Sequence, residues 1–356
     1  MDGLGLNEIA QQLSALEVAL FLCLVAHEHC LIETTATCIH DLATELALIC
    51  SITFDFSCSI LDCSSATSLE DIGNDIRIPD ARRGHAHPSR PWMNVESSSR
   101  DRSKSPVPST PNDTGNIVNI VIAKNFNVVN ENIQAQILQL MRSRTLVTEN
   151  GSLHAPTDFL FIPLVVRESE YLRPPLKTHL SDNLLISHFH DAEDGYIYLE
   201  ENDWLADEQL SASSVIRRPE KPLRNKGPKI DRTVMEKLQE ASVSVSISAE
   251  VVRYIQDIVV FLRLSRAVAG GVSARASIQF SRFAQLLAPL HGIDYLTPSI
   301  VALAARKVFR HRLIVADPFD DRSLQYGSDL EAVSQVLDGV TPESILDGVL
   351  ALEPPI

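Results

Sequence analysis

Residues 117–141 read IVNIVIAKNFNVVNENIQAQILQLM. The opening seven, 117–123, are mostly apolar and rich in β-branched side chains, a composition that predicts a short buried strand. The period then changes. Ile133, Ile137, Leu140 and Met141 fall on one face of a helix over 130–141. A buried strand, a polar loop and an amphipathic helix form the repeating unit of a mostly parallel sheet with right-handed crossovers.

The same alternation extends on both sides of this stretch. Residues 13–32 are apolar and end in Cys30-Leu31-Ile32-Glu33, residues 34–37 interrupt them, and 39–49 resume with helical spacing, which reads as strand, loop, helix. Residues 54–61 give a second short strand, closed by Asp62-Cys63-Ser64-Ser65. Residues 159–166 (FLFIPLVV) give a third, with Pro163 marking its end or a bulge. These elements predict an α/β large domain over 1–205. Within it, residues 84–115 are rich in Pro, Ser, Arg and Asn and are expected to form a disordered insertion, because they lack the apolar area to offset the entropy of ordering.

After a linker over 206–235, whose part 217–229 holds three prolines and six basic residues, the pattern becomes purely helical. Ser248 can cap a helix with Val251, Ile255, Ile258, Val259 and Leu262 as its stripe, ended by Gly270-Gly271. A second helix carries Phe280, Phe283, Ala284 and Leu287. A third opens with Thr297 as cap and Pro298 at its first position, and faces the core with Val301, Ala304, Ala305 and Val308. A small all-α domain is expected over 236–315, followed by an acidic C-terminal segment, 316–356.

Composition bounds the function. The 356 residues allow two to three domains, and 45% apolar with 22% charged residues is an ordinary globular balance. With 31 Lys plus Arg against 46 Asp plus Glu, the net charge of −15 argues against wholesale nucleic-acid binding, which needs a positive field, and leaves any phosphate chemistry to a local basic site. The longest N-terminal apolar run, 18–26, is about half the ~20 residues of a bilayer span, and no basic region precedes it. No membrane association is expected, and the protein reads as cytoplasmic. All six cysteines lie in the first 63 residues without a Cys-x-x-Cys pair, so they read as reduced core thiols rather than disulfides or a zinc ribbon. His27-Glu28-His29 and His188-Phe189-His190-Asp191 are the only clusters that invite a metal, and the second has Ala192 where an H-x-H-x-D run needs Asp. No metal site is expected, and no G-x-S-x-G elbow occurs.

The run Gly271-Val272-Ser273-Ala274-Arg275-Ala276-Ser277, then 283–290, then Asp294-Tyr295-Leu296-Thr297-Pro298, closing on Phe309-Arg310-His311-Arg312-Leu313, resembles the lid domain of AAA+ ATPases of the MoxR and magnesium chelatase group. That lid has an SPRA-type turn, a helix, a G-x-D-Y-V-x-P-x-D-V turn and a V-L-R-H-R-L ending. Upstream, Asn127, Gln136, Leu138 and Met141 fit the group's acidic nucleotide-site strand and following helix, D-E-x-N then Q-x-A-L-L-E-x-M. Residues 159–166 would be the sensor strand. The resemblance implies an AAA+-like parallel sheet with flanking helices plus the helical lid, and it is strongest toward fungal members of the group.

The same resemblance implies that the ATPase positions are degenerate. A phosphate loop, G-x-x-x-x-G-K-[ST], uses backbone amides and a lysine to hold phosphates. No Gly-Lys dipeptide occurs in the chain, and the matching turn, Thr34-Thr35-Ala36-Thr37-Cys38-Ile39-His40-Asp41, has His40 at the lysine position and no glycine. Lys124 and Asn125 replace the two carboxylates that would position magnesium and water. Asn183, in the run 180–183, replaces the arginine that reaches a neighbour's phosphate. Of the phosphate-contacting set only Arg275 remains. It either keeps a nucleotide contact or pairs with a carboxylate of the large domain, with Glu33 and Asp41 as first candidates; Lys124 is either a solvated strand-end residue or a tethered cation in the metal site.

Two functions are carried forward. The first is a non-catalytic AAA+ interaction or scaffold protein with no catalytic residues and no cofactor, as in magnesium chelatase, where an active AAA+ subunit works with a degenerate one. The second is an active magnesium-chelatase-like or MoxR-like ATPase using ATP and magnesium. The expected partner is a protein, including other AAA+ subunits or further copies in a ring. Residues 248–312 hold nine basic and three acidic residues while residues 1–76 hold twelve acidic and no basic ones, an asymmetry suited to head-to-tail packing and equally to a solvated basic face.

Overall fold

The structure, a computed structural model, describes residues 5–78, 115–149, 151–167, 176–201, 216–217 and 229–351. Most of the expected insertion 84–115, and of the linker 206–235, lies outside the described residues.

Helices α1 (Leu6–Gln12) and α2 (Ala15–Ala26) lead into strand β1 (His29–Thr34). The stretch 13–32 is therefore mainly helix, not strand. Its periodicity is hidden because Leu20, Phe21, Leu22, Cys23, Leu24 and Val25 are buried all round the helix. Local signals fix its ends: Ser14 and Glu17 form a reciprocal capping box, and His27 stops the helix in the left-handed conformation at φ 53°.

Then follow α3 (Ile39–Ile52), β2 (Cys58–Asp62), α4 (Leu69–Ile76), β3 (Ile120–Lys124), α5 (Glu131–Ser143), β4 (Leu160–Val166) and β5 (Leu184–Phe189). The five strands are parallel in the order β5-β1-β4-β3-β2, and Ile216–Arg217 adds antiparallel to β2. Gly115, at the end of the expected insertion, pairs with Leu153 in a separate small sheet. All six cysteines are free and buried.

Pro163 neither ends nor bulges β4; it sits inside the strand, in register with Ala123. Leu160 N bonds to Asn119 O toward β3 and Arg167 N to Thr34 O toward β1, so odd positions of β4 turn their backbone to β1. The β1–β4 ladder begins only at Ile32 and Leu164. Two backbone positions, Phe161 and Pro163, face the unpaired part. Phe161 N donates to His29 Nδ1 at 3.0 Å, and Pro163 has no N–H to satisfy. His29 is thus a sheet component rather than a metal ligand.

The helical domain holds α6 (Arg232–Ser244), α7 (Ala249–Leu264), α8 (Ala274–Leu290) and α9 (Pro298–Phe309), with side-chain caps from Ser248, Ser273 and Thr297 on the last three. Helix α6 begins inside the stretch read as linker. A two-stranded pairing of Val268–Gly270 with Ile314–Val315 closes the domain. The acidic C-terminal segment forms α10 (Leu330–Leu337) and α11 (Pro342–Leu350), and α11 buries Ile345, Leu346 and Val349. Among the described residues no helix is long and apolar enough to cross a membrane.

Candidate functional site

In an open parallel sheet, ligands sit outside the carboxyl ends of the strands. Here the ends of β1, β4, β3 and β2 stand side by side. Between β1 and α3 only Thr35, Ala36, Thr37 and Cys38 intervene. Cys38 N bonds to Thr35 O at 3.2 Å and the Thr35 and Thr37 hydroxyls meet at 3.2 Å, so the turn is closed on itself. The Thr35 and Thr37 hydroxyls hold the Cys38 thiol below its ordinary pKa.

His40 projects from the first turn of α3, and its Nδ1 lies 3.1 Å from Lys124 Nζ. An ammonium only donates, so Nδ1 is the unprotonated ring nitrogen. Lys124 ends β3, is buried, and pairs with Asp62 Oδ2 at 3.0 Å. Asp62 is its cross-strand neighbour in the β2–β3 ladder, which explains why the pair forms. Of the two alternatives for this strand-end lysine, solvated or tethered, the geometry is that of a tethered cation. Asn125 follows at φ 54°, a conformation Asn tolerates better than most residues, and its N–H donates to Leu164 O at 2.8 Å.

Asn183 is buried away from these groups. Its amide donates to His179 O at 2.7 Å and accepts from Arg142 Nε at 3.3 Å. Arg275, in the first turn of α8, bonds Glu28 Oε2 at 2.8 Å. Its partner is thus neither Glu33 nor Asp41: Glu28, in the corner between α2 and β1, lies within reach, and Glu33 is already engaged.

Glu33 is held by Arg310, a residue the sequence reading quoted but gave no role. Arg310 Nη1 bonds Glu33, its Nε bonds Glu343 at the start of α11, and Glu343 also takes Arg167 Nη2 at 3.1 Å. His311 Nε2 donates to Leu184 O at 2.9 Å, while Arg312 donates to Leu185 O at 3.3 Å, Val308 O at 2.6 Å and Gln279. Burial pushes the Arg312 guanidinium down to about 10. The run Arg310-His311-Arg312 therefore docks the helical domain on β1 and β5. A basic tripeptide after an apolar helix stripe, in a chain whose first strands carry only acids, was the signal available for it.

Neither histidine cluster gathers ligands. Burial holds His29 down to about 3 and His188 down to about 4, and no three His, Cys, Asp or Glu residues converge among the described residues.

The family of AAA lid domains matches residues 261–333, from within α7 past residue 315 into α10. In three dimensions the chain is similar to a solved structure of a candidate ATPase from Cytophaga hutchinsonii, with TM-score 0.56 and 16% identity over 94% of this chain and 93% of that one. The fold is AAA+-like. The lid match takes in the end of α7 and all of α8 and α9. Among curated proteins the chain is similar to Maintenance of telomere capping protein 2 of Lachancea thermotolerans, 26% identical over 129 residues. That match takes in 35% of this chain and 45% of the relative, so the chain spans less than half of the relative's length.

Proposed function

We propose that this protein is a non-catalytic AAA+-like subunit of the MoxR and magnesium chelatase type, an interaction or scaffold protein with a degenerate nucleotide site. The observation that carries the proposal is the Lys124 ammonium held between Asp62 and His40, at 3.0 and 3.1 Å. A magnesium nucleotide does not fit these residues. Its cation would meet a fixed ammonium, and its phosphates would meet a four-residue, glycine-free turn with no lysine. Arg275 and Arg310 are spent on Glu28 and Glu33, at opposite ends of β1. Preorganised charge is what phosphoryl transfer depends on, and here it is turned inward.

The partner is a protein, including other AAA+ subunits or further copies of this chain, with the basic lid against an acidic neighbour and the cytoplasm as its place of action. The name of the Lachancea relative describes telomere capping and no chemical step, which accords with an adaptor role. The alternative is an active ATPase of the magnesium chelatase type. Purified full chain with ATP and magnesium decides between them. Background phosphate release, unchanged in His40→Ala, is the expected result; turnover that His40→Ala abolishes would overturn the proposal.

A further inference from the structure

A cleft of about 440 Å³ opens between α1 and α2 on one side and α8 and α9 on the other, with the end of β5 as its floor. Its walls are largely apolar and include Leu13, Val18, Leu22, Phe283 and Leu287. This volume lies within the range of small-molecule sites, which pair apolar walls with a few converging polar groups.

Asn7, Gln11 and His291 add polar atoms to the lining, and Lys307 and His188 form the one hydrogen-bonded pair among its polar side chains. Lys307 Nζ lies 3.3 Å from His188 Nδ1, its one hydrogen bond among the described residues. Burial and the Lys307 charge keep His188 neutral, so the contact neutralises nothing. The nearby carboxylates Glu33 and Glu343 are taken by Arg310, one turn further along. No carboxylate lies within ion-pair distance of Lys307 among the described residues, although the chain has 46 of them. Burial accordingly pushes the Lys307 ammonium below its ordinary pKa. An ammonium in an apolar cleft is costly until an anion joins it, and with one of three N–H groups used, it retains two donors.

We infer that this cleft binds an amphipathic monocarboxylate, its carboxylate on Lys307 and its apolar body between α2 and α8. One ammonium, with no arginine fork lining the cleft, matches a monoanion rather than a polyphosphate. The inference is independent of whether the protein hydrolyses ATP.

Calorimetric titration of the full chain with decanoate and with decan-1-ol tests it. Decanoate binds, and the alcohol binds at least about tenfold more weakly, because it leaves the ammonium unpaired. Lys307→Arg retains decanoate binding, whereas Lys307→Met weakens it by about tenfold or more. Leu303→Glu, at an exposed position lining the cleft one helical turn before Lys307, supplies an internal carboxylate and weakens decanoate similarly while the melting temperature shows a folded protein. Equal binding of acid and alcohol, no binding of decanoate at millimolar concentration, or unchanged affinity in folded Leu303→Glu would each overturn the inference.

Discussion

The guanidinium of Arg310 in the lid is bonded to the carboxylate of Glu33 at the end of β1. The Glu33 side chain is only 2% exposed and that of Arg310 17%, so the pair is desolvated, and Glu343 from α11 shares the same arginine. Removing one partner leaves a buried charge without compensation. Arg310→Ala is expected to lower stability by about 3–5 kcal/mol, read as a fall in the urea midpoint at unchanged slope. A loss below about 1 kcal/mol would mean that the pair is open to solvent.

Arg275 gives a weaker anchor. Its side chain is 40% exposed and that of Glu28 is 22% exposed, so solvent screens the pair. Arg275→Ala should cost about 1 kcal/mol, well below Arg310→Ala, and the loss should be the same with and without ATP. Wild-type stability combined with altered nucleotide affinity would instead assign Arg275 to a ligand.

Histidine 29 makes stability depend on pH. Its folded pKa of about 3 lies below the ordinary 6.5, because burial disfavours the imidazolium. Between those values the unfolded chain binds a proton that the native state does not, so stability is full above pH ~6.5 and falls as pH drops toward ~3, by about 1.4 kcal/mol per unit for one group. His188, held down to about 4, acts in the same direction. In His29→Gln, whose side-chain oxygen can still accept from Phe161 N, the loss between pH 6.5 and 5 should shrink by roughly 2 kcal/mol. Equal pH slopes in the two proteins would contradict the assignment.

Gly271 precedes the cap of α8 at φ +97°, and a Cβ there would fall 1.9 Å from Arg312 O. Gly271→Ala therefore strains the backbone and pushes on the segment that docks the lid. A loss of more than about 2 kcal/mol in thermal or urea melts is expected.

The parts of the fold set by local period were legible: the β-branched run before Lys124, the stripe of α7, and the Thr297-Pro298 start of α9. Helix α2 was not, because a helix buried on every side carries no stripe to read. The site divided in the same way. The lack of a Gly-Lys dipeptide is a fact of spelling, whereas the approach of Lys124 to Asp62 depends on the register of β2 with β3, across 62 residues of chain. The partner of Arg275 could not be read either. Glu28 and Glu33 stand at opposite ends of β1, and which of them meets Arg275 depends on how the helical elements pack on that strand.

Positions 29 and 163 are tied by what the sheet lacks between them. Where β1 does not pair with β4, one strand donor is taken by the His29 ring and the next is abolished by Pro163. Each substitution is acceptable only while that gap remains. In related chains, a residue other than proline at 163 should bring with it an acceptor on β1, and an aliphatic residue at 29 should accompany a longer β1–β4 ladder. The two sites would then be inherited as a couple, although 134 positions separate them and their side chains share no chemistry.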